Sequence, residues 1–321
     1  MVNRHVMHVV RGGLALAAIW ALRRQLAGQR SEALLRQLRA FGWQHLALGG
    51  AAVAASFLVL GAVELLGVRQ AASRKAVSPF SAVGTSFVAN ALSQSIGLSV
   101  LTGAAVRARV YGRIGLSAPE ITQVTAFVTI SATLGLMACG AAAIVGAGGH
   151  LLLPTGITVG MIPIAALLAT VVAAYFAWAA FGRSDAVGIG RWTLARPSGS
   201  IALSQTALSA VDWVLTGLVL FAFIPAQAGL SFGVVLSAYL IAQVLAVTSH
   251  VPAGAGVLEV VTVGLLAGGA PHEVRTAGVA ALLMFRVCYY LLPLVAAIGI
   301  SAVFEWQSRA SSRGAAVLHA G

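Results

Sequence analysis

Long apolar segments, each about the length of a membrane-spanning helix, recur along the chain. A helix of about 20 apolar residues crosses the hydrocarbon core of a bilayer. Charged residues make up only 9% of the 321 residues, too few to cover a water-facing surface, since soluble domains carry about 25%. This excludes a soluble enzyme, a nucleic-acid-binding domain and a disordered protein, and predicts an all-α polytopic integral membrane protein. The candidate spanning helices, about six in all, lie at 6–22, 42–68, 118–146, 157–181, 200–223 and 274–303.

The basic residues indicate the orientation of the chain. The net charge is +12, from 20 Lys and Arg against 8 Asp and Glu, and such residues collect in cytoplasmic loops. The basic loops at 69–75, 107–113 and 182–199 are therefore placed inside. The loops at 147–156 and 224–231 contain no Lys or Arg and are placed outside. Residues 23–41 carry five arginines yet come out external if the N-terminus is inside, which leaves the orientation of the first helix open.

Two further apolar segments, 79–106 and 232–268, each begin and end on one side of the membrane under this orientation. The first starts from the cytoplasmic side and the second from the outer side. Such a segment must be broken at membrane depth, and broken backbone lines protein or water rather than lipid. We therefore predict two oppositely oriented re-entrant hairpins. The residues expected at the breaks are Gly97 and Gly103 in the first hairpin and Pro252, Gly254 and Gly256 in the second.

The two hairpins align when the chain is shifted by 152 residues against itself. Phe80 then falls on Phe232, Gly112 on Gly264, and Ala118-Pro119 on Ala270-Pro271. Each half continues into a long apolar helix, so the halves are about 79–146 and 231–303. Opposite orientation of equivalent halves is the signature of an inverted-topology repeat, an architecture found in transporters. The alternative is that these four identities between the two segments arose by chance.

Three parts are expected along the chain. Residues 1–41 hold a signal-anchor helix and then an interfacial amphipathic helix at 29–41. The transmembrane domain covers 42–305, and residues 306–321 form a polar cytoplasmic tail. The apolar face of the amphipathic helix consists of Leu34, Leu35, Leu38 and Phe41.

Polar and charged side chains inside the apolar segments are the candidate functional residues. Asn90, Ser93 and Gln94 lie near the tip of the first hairpin and either bind a lipid headgroup or hold helices together. Arg107 closes that hairpin, and Arg286 sits in the middle of the last span. A guanidinium binds phosphate through paired hydrogen bonds, and at such depth it costs at least about 2.5 kcal/mol unless it is paired or hydrated. Arg107 is alternatively a loop cation at the interface.

Two tyrosines and two acids complete this set. Tyr289 and Tyr290 follow Arg286 at i+3 and i+4 and add phenols to its helix face. Asp212 lies on a polar stripe that faces a cavity or another helix. Glu259 follows the second hairpin break. Either acid pairs with Arg286, or accepts an ammonium group or a coupling proton. The stripe consists of Gln205, Ser209, Asp212 and Thr216.

The sequence resembles the membrane region of lysylphosphatidylglycerol synthase/flippase proteins, the multiple peptide resistance factor family, and their stand-alone relatives. The likeness covers roughly residues 5–305 and includes a polar hairpin followed by Gly-Ala-x-x-Arg at 103–107. Arg-x-x-Tyr-Tyr stands at 286–290, and Pro-Gly-Gly-x-Gly stands at 252–256 with Ala253 in place of one glycine. The matching stretches are SFVANALSQSIGLSVLTGAAVRARVYG (86–112), VDWVLTGLVLF (211–221), HVPAGAGVLEVV (250–261) and FRVCYYLLPL (285–294).

The resemblance implies a phospholipid flippase of the bacterial inner membrane that moves an anionic or aminoacylated phosphatidylglycerol-type lipid between leaflets. The best-known members also carry a cytosolic synthase domain, so we expect this chain not to make lysyl-lipid by itself. Membrane phospholipids, a separate lipid synthase and a second copy of the chain are the partners considered, and nucleic acid is not. No catalytic motif, metal-ligand spacing or cofactor fingerprint occurs. The alternatives are a lipid-modifying enzyme, the membrane half of a split synthase, or a scaffold for a lipid enzyme.

Overall fold

The protein is a bundle of long and short helices. The computed structural model describes residues 36, 38–71, 77–96, 99–146, 148–152, 158–182, 186–189, 192–225, 228–248, 256–267 and 272–302. In this part, five helices are long and apolar enough to span a membrane. They agree with five of the six predicted spans, whereas the predicted span at 6–22 and the tail at 306–321 lie outside the described residues. The long helices are α1 (Trp43–Ala71), α4 (Ala118–Gly146), α5 (Ile162–Phe181), α6 (Gly199–Phe221) and α9, which begins at His272 and runs to 302.

Four shorter helices form the two hairpins. They are α2 (Pro79–Ile96), α3 (Ser99–Ile114), α7 (Phe232–Thr248) and α8 (Val257–Ala267). Helix α2 packs against α3, and α7 packs against α8. At 1.5 Å per residue, the 18 residues of α2 extend about 27 Å and the 11 of α8 about 16 Å. Because each re-entrant segment consists of two helices that pack against each other, both segments are helical hairpins.

The structure corrects part of the predicted hairpin tips. Residues 90–96 are the last turns of α2 rather than a non-helical tip, and Gly103 lies inside α3 rather than at a break. Gly256 does stand at a turn directly before α8, with the positive φ of 86° that glycine adopts without steric cost. Gly97, Pro252 and Gly254 lie outside the described residues.

Helices α1 and α6 form an antiparallel pair at the centre of the bundle. At one end, Nδ1 of His45 lies 2.7 Å from the carbonyl oxygen of Ala222. At the other end, the Gln70 amide donates to the carbonyl oxygen of Arg196 over 3.4 Å. Helix α4 also packs closely on α6. Gly135 of α4 allows this approach, because a Cβ on it would lie 2.6 Å from the carbonyl carbon of Ser209 in α6.

The hairpins enter this bundle from opposite sides. The first begins beside the C-terminal half of α1, where Val83 packs against Gly61. The second begins beside the C-terminal end of α4, where the Ser237 hydroxyl donates to the carbonyl oxygen of Ala143 over 3.5 Å. Helices α1 and α4 are antiparallel, since the end of α1 packs against the start of α4. The opposite orientation of the two hairpins is thereby confirmed.

The helix boundaries follow the 152-residue repeat more completely than the sequence indicated. Adding 152 to the bounds of α2, α3 and α4 gives 231–248, 251–266 and 270–298, close to those of α7, α8 and α9. The same shift carries α1 to 195–223, close to α6. Each repeat unit therefore contains a long helix, a helical hairpin and a second long helix, and α5 connects the units.

Three features lie outside the repeat. An antiparallel ribbon of β1 (His150–Leu152) and β2 (Thr158–Gly160) joins α4 to α5. A second ribbon, of β3 (Ala186–Ile189) and β4 (Trp192–Ala195), joins α5 to α6. Ahead of α1, Leu38 and Phe41 of the predicted amphipathic helix pack against Ala280 and Leu283 of α9. Part of the apolar face predicted to lie on lipid therefore contacts protein.

Candidate functional site

A buried ion pair fastens the first hairpin to α1. The Arg107 guanidinium donates through Nε to Oε1 of Glu64 over 2.9 Å and through Nη2 to Oε2 over 2.6 Å. The Tyr111 hydroxyl, one turn further along α3, donates to Oε1 of Glu64 over 2.9 Å. Glu64 is fully buried and Arg107 is 4% exposed. Arg107 is therefore a buried cation with a carboxylate partner, not a loop cation at the interface.

Gly103 makes room for this guanidinium. A Cβ on Gly103 would lie 2.8 Å from Nη1 of Arg107 and 3.3 Å from Oγ of Ser93. Three of the predicted residues, Ser93, Gly103 and Arg107, thus meet between α2 and α3. Asn90 instead donates to the carbonyl oxygen of Ser86 in its own helix over 2.9 Å.

A second ion pair fastens the other hairpin to α9. Nε of Arg286 donates to Oε1 of Glu259, which lies in the first turn of α8. Oε2 of the same carboxylate accepts the backbone N–H of Gly256 over 2.7 Å. Cζ of Arg286 lies 5.1 Å from the centroid of the Tyr290 ring, a distance at which the ring face attracts a cation. Of the two acids predicted as partners of Arg286, Glu259 is the one that pairs with it.

Asp212 belongs to a third cluster, halfway along α6. The Ser56 hydroxyl of α1 donates to Oδ1 of Asp212 over 2.5 Å. Oη of Tyr289 lies 3.0 Å from Oγ of Ser56 and 3.0 Å from Oγ1 of Thr216. All four residues are buried. The predicted polar stripe on α6 therefore faces the protein interior.

A π-helical turn in the last span separates the two tyrosines. Residues Val287–Leu291 form this turn directly after Arg286. Inserted π turns are frequent at functional sites, because they re-aim side chains within an otherwise regular helix. Here Tyr290 lies at the Arg286 guanidinium, whereas Tyr289 contacts Ser56 on α1. The predicted single face of Arg286, Tyr289 and Tyr290 is thus divided between two clusters.

A row of aromatic rings joins the two hairpins through this turn. Phe87 of α2 contacts Phe57 of α1 at 4.9 Å between centroids, and Phe57 contacts Tyr289 at 5.9 Å. Phe285 stacks on Tyr289 at 5.6 Å and contacts Tyr239 of α7, also at 5.6 Å. Phe87 and Tyr239, at the two ends of the row, are 152 residues apart and occupy equivalent repeat positions.

The ion-paired residues of the two hairpins are also equivalent by repeat. Arg107 in α3 and Glu259 in α8 are 152 residues apart, so one position carries a cation in one unit and an anion in the other. Arg107 pairs with the long helix that precedes its hairpin, and Glu259 pairs with the long helix that follows. The two repeat units are therefore fastened in different arrangements.

Each hairpin also buries polar atoms for which the described residues supply no hydrogen-bond partner. They are Oε1 of Gln94 in the first hairpin, and Oε1 of Gln243 and Oγ1 of Thr262 in the second. Buried polar atoms are normally hydrogen-bonded to protein or ordered water. Gln94 was predicted as a site residue, whereas Gln243 and Thr262 were not.

Three residues of the ion-paired and Asp212 clusters were also missed. Glu64 carried a usable signal, because it is a carboxylate inside an apolar span, although it lies near the end of the predicted span 42–68. Ser56 and Tyr111 carried none, because a lone Ser or Tyr in an apolar helix is common and only its neighbours give it a role.

Two relatives decide the family of the chain. No family model matches it. The uncharacterized protein slr0712 of Synechocystis is 31% identical over 277 residues, which cover 82% of this chain and 84% of that protein. The inner membrane protein YbhN of Escherichia coli is 30% identical over 260 residues, which cover 80% of this chain and 79% of YbhN. The chain belongs to the YbhN family. With its long apolar helices, this membership makes it a multi-pass membrane protein.

Proposed function

We propose that this member of the YbhN family moves a phospholipid between the leaflets of the bacterial inner membrane. One observation carries the proposal: equivalent positions of an inverted repeat, Arg107 and Glu259, are fastened to non-equivalent helices. Inverted-repeat transporters alternate access by exchanging the conformations of two units around a fixed site. Such an exchange requires the two repeat units to have different arrangements at any one time, and the two ion pairs differ in this way.

The chemistry of the ion pairs supports a phosphate-bearing substrate. Each buried guanidinium, on Arg107 and Arg286, is held by a carboxylate, and a lipid phosphate likewise presents two acceptor oxygens that an arginine can bind in a bidentate manner. A phosphate that replaces the carboxylate keeps the guanidinium paired, so the exchange leaves no bare charge on the arginine. The freed Glu259 then offers a counter-charge to an amine of the headgroup.

The geometry also suits a substrate with lipid tails. The hairpins are short helices inserted between long ones, and a lipid that keeps its tails in the bilayer needs only its headgroup to pass through protein. The resemblance to lysylphosphatidylglycerol flippases supports an anionic or aminoacylated phosphatidylglycerol-type lipid. A separate synthase would then supply an aminoacylated lipid.

Lipid exchange in reconstituted vesicles tests the proposal. Purified protein is incorporated into phosphatidylglycerol vesicles that contain a trace of fluorescent phosphatidylglycerol, and dithionite then quenches the label in the outer leaflet. We expect the protein to make nearly all of the label accessible, and protein-free vesicles to protect the inner half. Arg286→Ala is expected to slow this exchange. Arg109→Ala, which removes an exposed arginine of α3 instead of a buried one, serves as the control.

Protection of the inner-leaflet label equal to that in protein-free vesicles would contradict lipid translocation. Equal exchange by wild type and Arg286→Ala would contradict the role of that guanidinium. Loss of a lipid species from a deletion strain, rather than its retention in the wrong leaflet, would instead support a lipid-modifying activity.

A further inference from the structure

Asp212 differs from Glu64 and Glu259, the other two acids of the clusters. Glu64 and Glu259 each accept hydrogen bonds from an arginine, whereas the Asp212 carboxyl has no Lys, Arg or His partner within the described part of the chain. Its single side-chain partner there is the Ser56 hydroxyl. An ionised carboxylate at membrane depth without a cation is strongly disfavoured, whereas a neutral carboxylic acid is tolerated. The surroundings of Asp212 therefore stabilise its protonated form.

The hydroxyls around Asp212 can serve both protonation states without movement of heavy atoms. When the carboxyl is ionised, Ser56 donates to it and Tyr289 donates to Ser56, at 2.5 and 3.0 Å. When the carboxyl is protonated, it donates to Ser56 and Ser56 donates to Tyr289, whose hydroxyl oxygen also accepts from Thr216 over 3.0 Å. The Thr216 hydroxyl has a second acceptor in the backbone carbonyl oxygen of Asp212, 2.8 Å away. Hydroxyls can reverse in this way because each has one donor hydrogen and acceptor lone pairs.

From this geometry we infer that Asp212 is a proton-binding site at the middle of the membrane. The Asp212 carboxylate takes up one proton to form the neutral acid, and release of that proton restores the carboxylate. Oxygens in direct hydrogen-bond contact leave no space for a metal cation between them, which favours a proton over sodium as the ligand. Resting on the proposed function, we further infer that lipid transport is coupled to this proton.

Other titratable and charged groups lie on the elements packed against α6. Glu64 is already paired with Arg107, Arg286 is paired with Glu259, and Cys139 donates to the carbonyl oxygen of Ala210. The described side chains of this kind are His45, Glu64 and Arg69 on α1, Glu120 and Cys139 on α4, Tyr175 on α5, Tyr239 on α7, and Arg286, Cys288, Tyr289 and Tyr290 on α9 and its π turn.

The position of the hydroxyl chain connects proton binding to movement. Ser56 lies on α1, Asp212 and Thr216 on α6, and Tyr289 on the π turn of α9, so the chain bridges three helices from both repeat units. Reversal of its hydrogen bonds changes which helix donates to which. A change in the protonation of Asp212 therefore alters the hydrogen bonds of Tyr289, which lies on the π turn directly after Arg286. Arg286 is the residue that pairs with the second hairpin.

Infrared difference spectroscopy tests the proton site independently of transport. The purified protein is measured at neutral pH, and the carbonyl stretch of a protonated carboxylic acid is compared between wild type and Asp212→Asn. We expect this band in wild type and in the control Glu120→Gln, whose carboxylate caps α4, and its loss in Asp212→Asn. We also expect Ser56→Ala to shift the band, because it removes the hydrogen-bond partner of the acid.

Absence of the band from wild type at neutral pH, or its persistence in Asp212→Asn, would overturn the proton site. A mere folding defect in the variant is recognised by circular dichroism, and the Ser56→Ala shift then serves as the independent assignment of the band.

Lipid distribution in wild-type vesicles tests the coupling. With the membrane potential clamped, a gradient of one pH unit is expected to give up to about tenfold unequal distribution of labelled phosphatidylglycerol if one proton moves with each lipid. An ionophore that collapses the pH gradient should abolish the asymmetry. Equal distribution despite the gradient, or asymmetry driven by sodium at constant pH, would overturn proton coupling while the flippase proposal stands. Absence of any lipid exchange would overturn both, and the spectroscopic result would still decide the proton site.

Discussion

Removal of Glu64 should destabilise the protein far more than removal of both partners of its ion pair. In Glu64→Met, the Arg107 guanidinium stays buried at 4% exposure and loses all three hydrogen bonds that the carboxylate accepted from it. Breaking one side of a buried ion pair typically costs about 3–5 kcal/mol. The Tyr111 hydroxyl also loses its acceptor, which adds about 1 kcal/mol.

The double variant Glu64→Met/Arg107→Met should be markedly more stable than Glu64→Met alone. Replacing a buried ion pair by apolar side chains of similar volume is often neutral or stabilising, because no charge is left uncompensated. We expect the double variant to lose only about 1 kcal/mol, mainly through the Tyr111 hydroxyl. Arg107→Met alone should cost less than Glu64→Met, since an orphaned carboxylate can become neutral by protonation and a guanidinium cannot.

The free energy of unfolding in mixed micelles measures these differences. Unfolding is titrated with sodium dodecyl sulfate and followed by circular dichroism and tryptophan fluorescence. Arg109→Met is the matched control: it also removes an arginine of α3, but an exposed one, and it should change stability by no more than about 0.5 kcal/mol. A cost below about 1 kcal/mol for Glu64→Met would refute the reasoning, and so would a double variant whose loss equals the sum of the single losses.

Two glycines provide further predictions with the same titration. Gly135→Ala should cost about 1–3 kcal/mol, since its Cβ would lie 2.6 Å from the backbone of Ser209. Gly112→Ala, with nothing within 4 Å, should instead gain about 0.4–1 kcal/mol; equal effects of the two would contradict the packing argument. Gly103→Ala should destabilise wild type by displacing the Arg107 guanidinium, and should do so much less in an Arg107→Met background. An equal cost in both backgrounds would mean that Gly103 acts on something else.

The architecture was largely predictable because its signals are local. Five spans are uninterrupted apolar runs of helix length, and the hairpins followed from an imbalance of basic residues between loops. The polar stripe on α6 was predicted from helical spacing alone, and its burial is confirmed. The long helix that begins each repeat unit was not found, because α1 and α6 share in this register only the apolar identities Ala55–Ala207, Val59–Val211 and Leu66–Leu218, which any two apolar helices can share.

The site was only partly predictable because an ion pair is a relation between distant residues. Arg107 and Arg286 stood out as charges in apolar segments, and Glu259 was one of two acids considered for Arg286. That Arg107 meets Glu64, 43 residues earlier, depends on how α3 packs on α1. Gly103 was read as a break because glycine terminates many helices, whereas its small size serves a close approach inside α3.

The order of apolar and basic residues was enough to show that the chain crosses a membrane, where its helices lie and that two hairpins enter from opposite sides. These properties follow from the free energy of transferring each side chain between water and hydrocarbon. That free energy depends little on which other residues the side chain contacts. The pairing of the charged residues, and the contact of Asp212 with hydroxyls rather than with an arginine, became visible in the folded structure alone. At membrane depth every polar group must find its partner inside the protein, and that choice is made by the packing of helices, which no local pattern encodes.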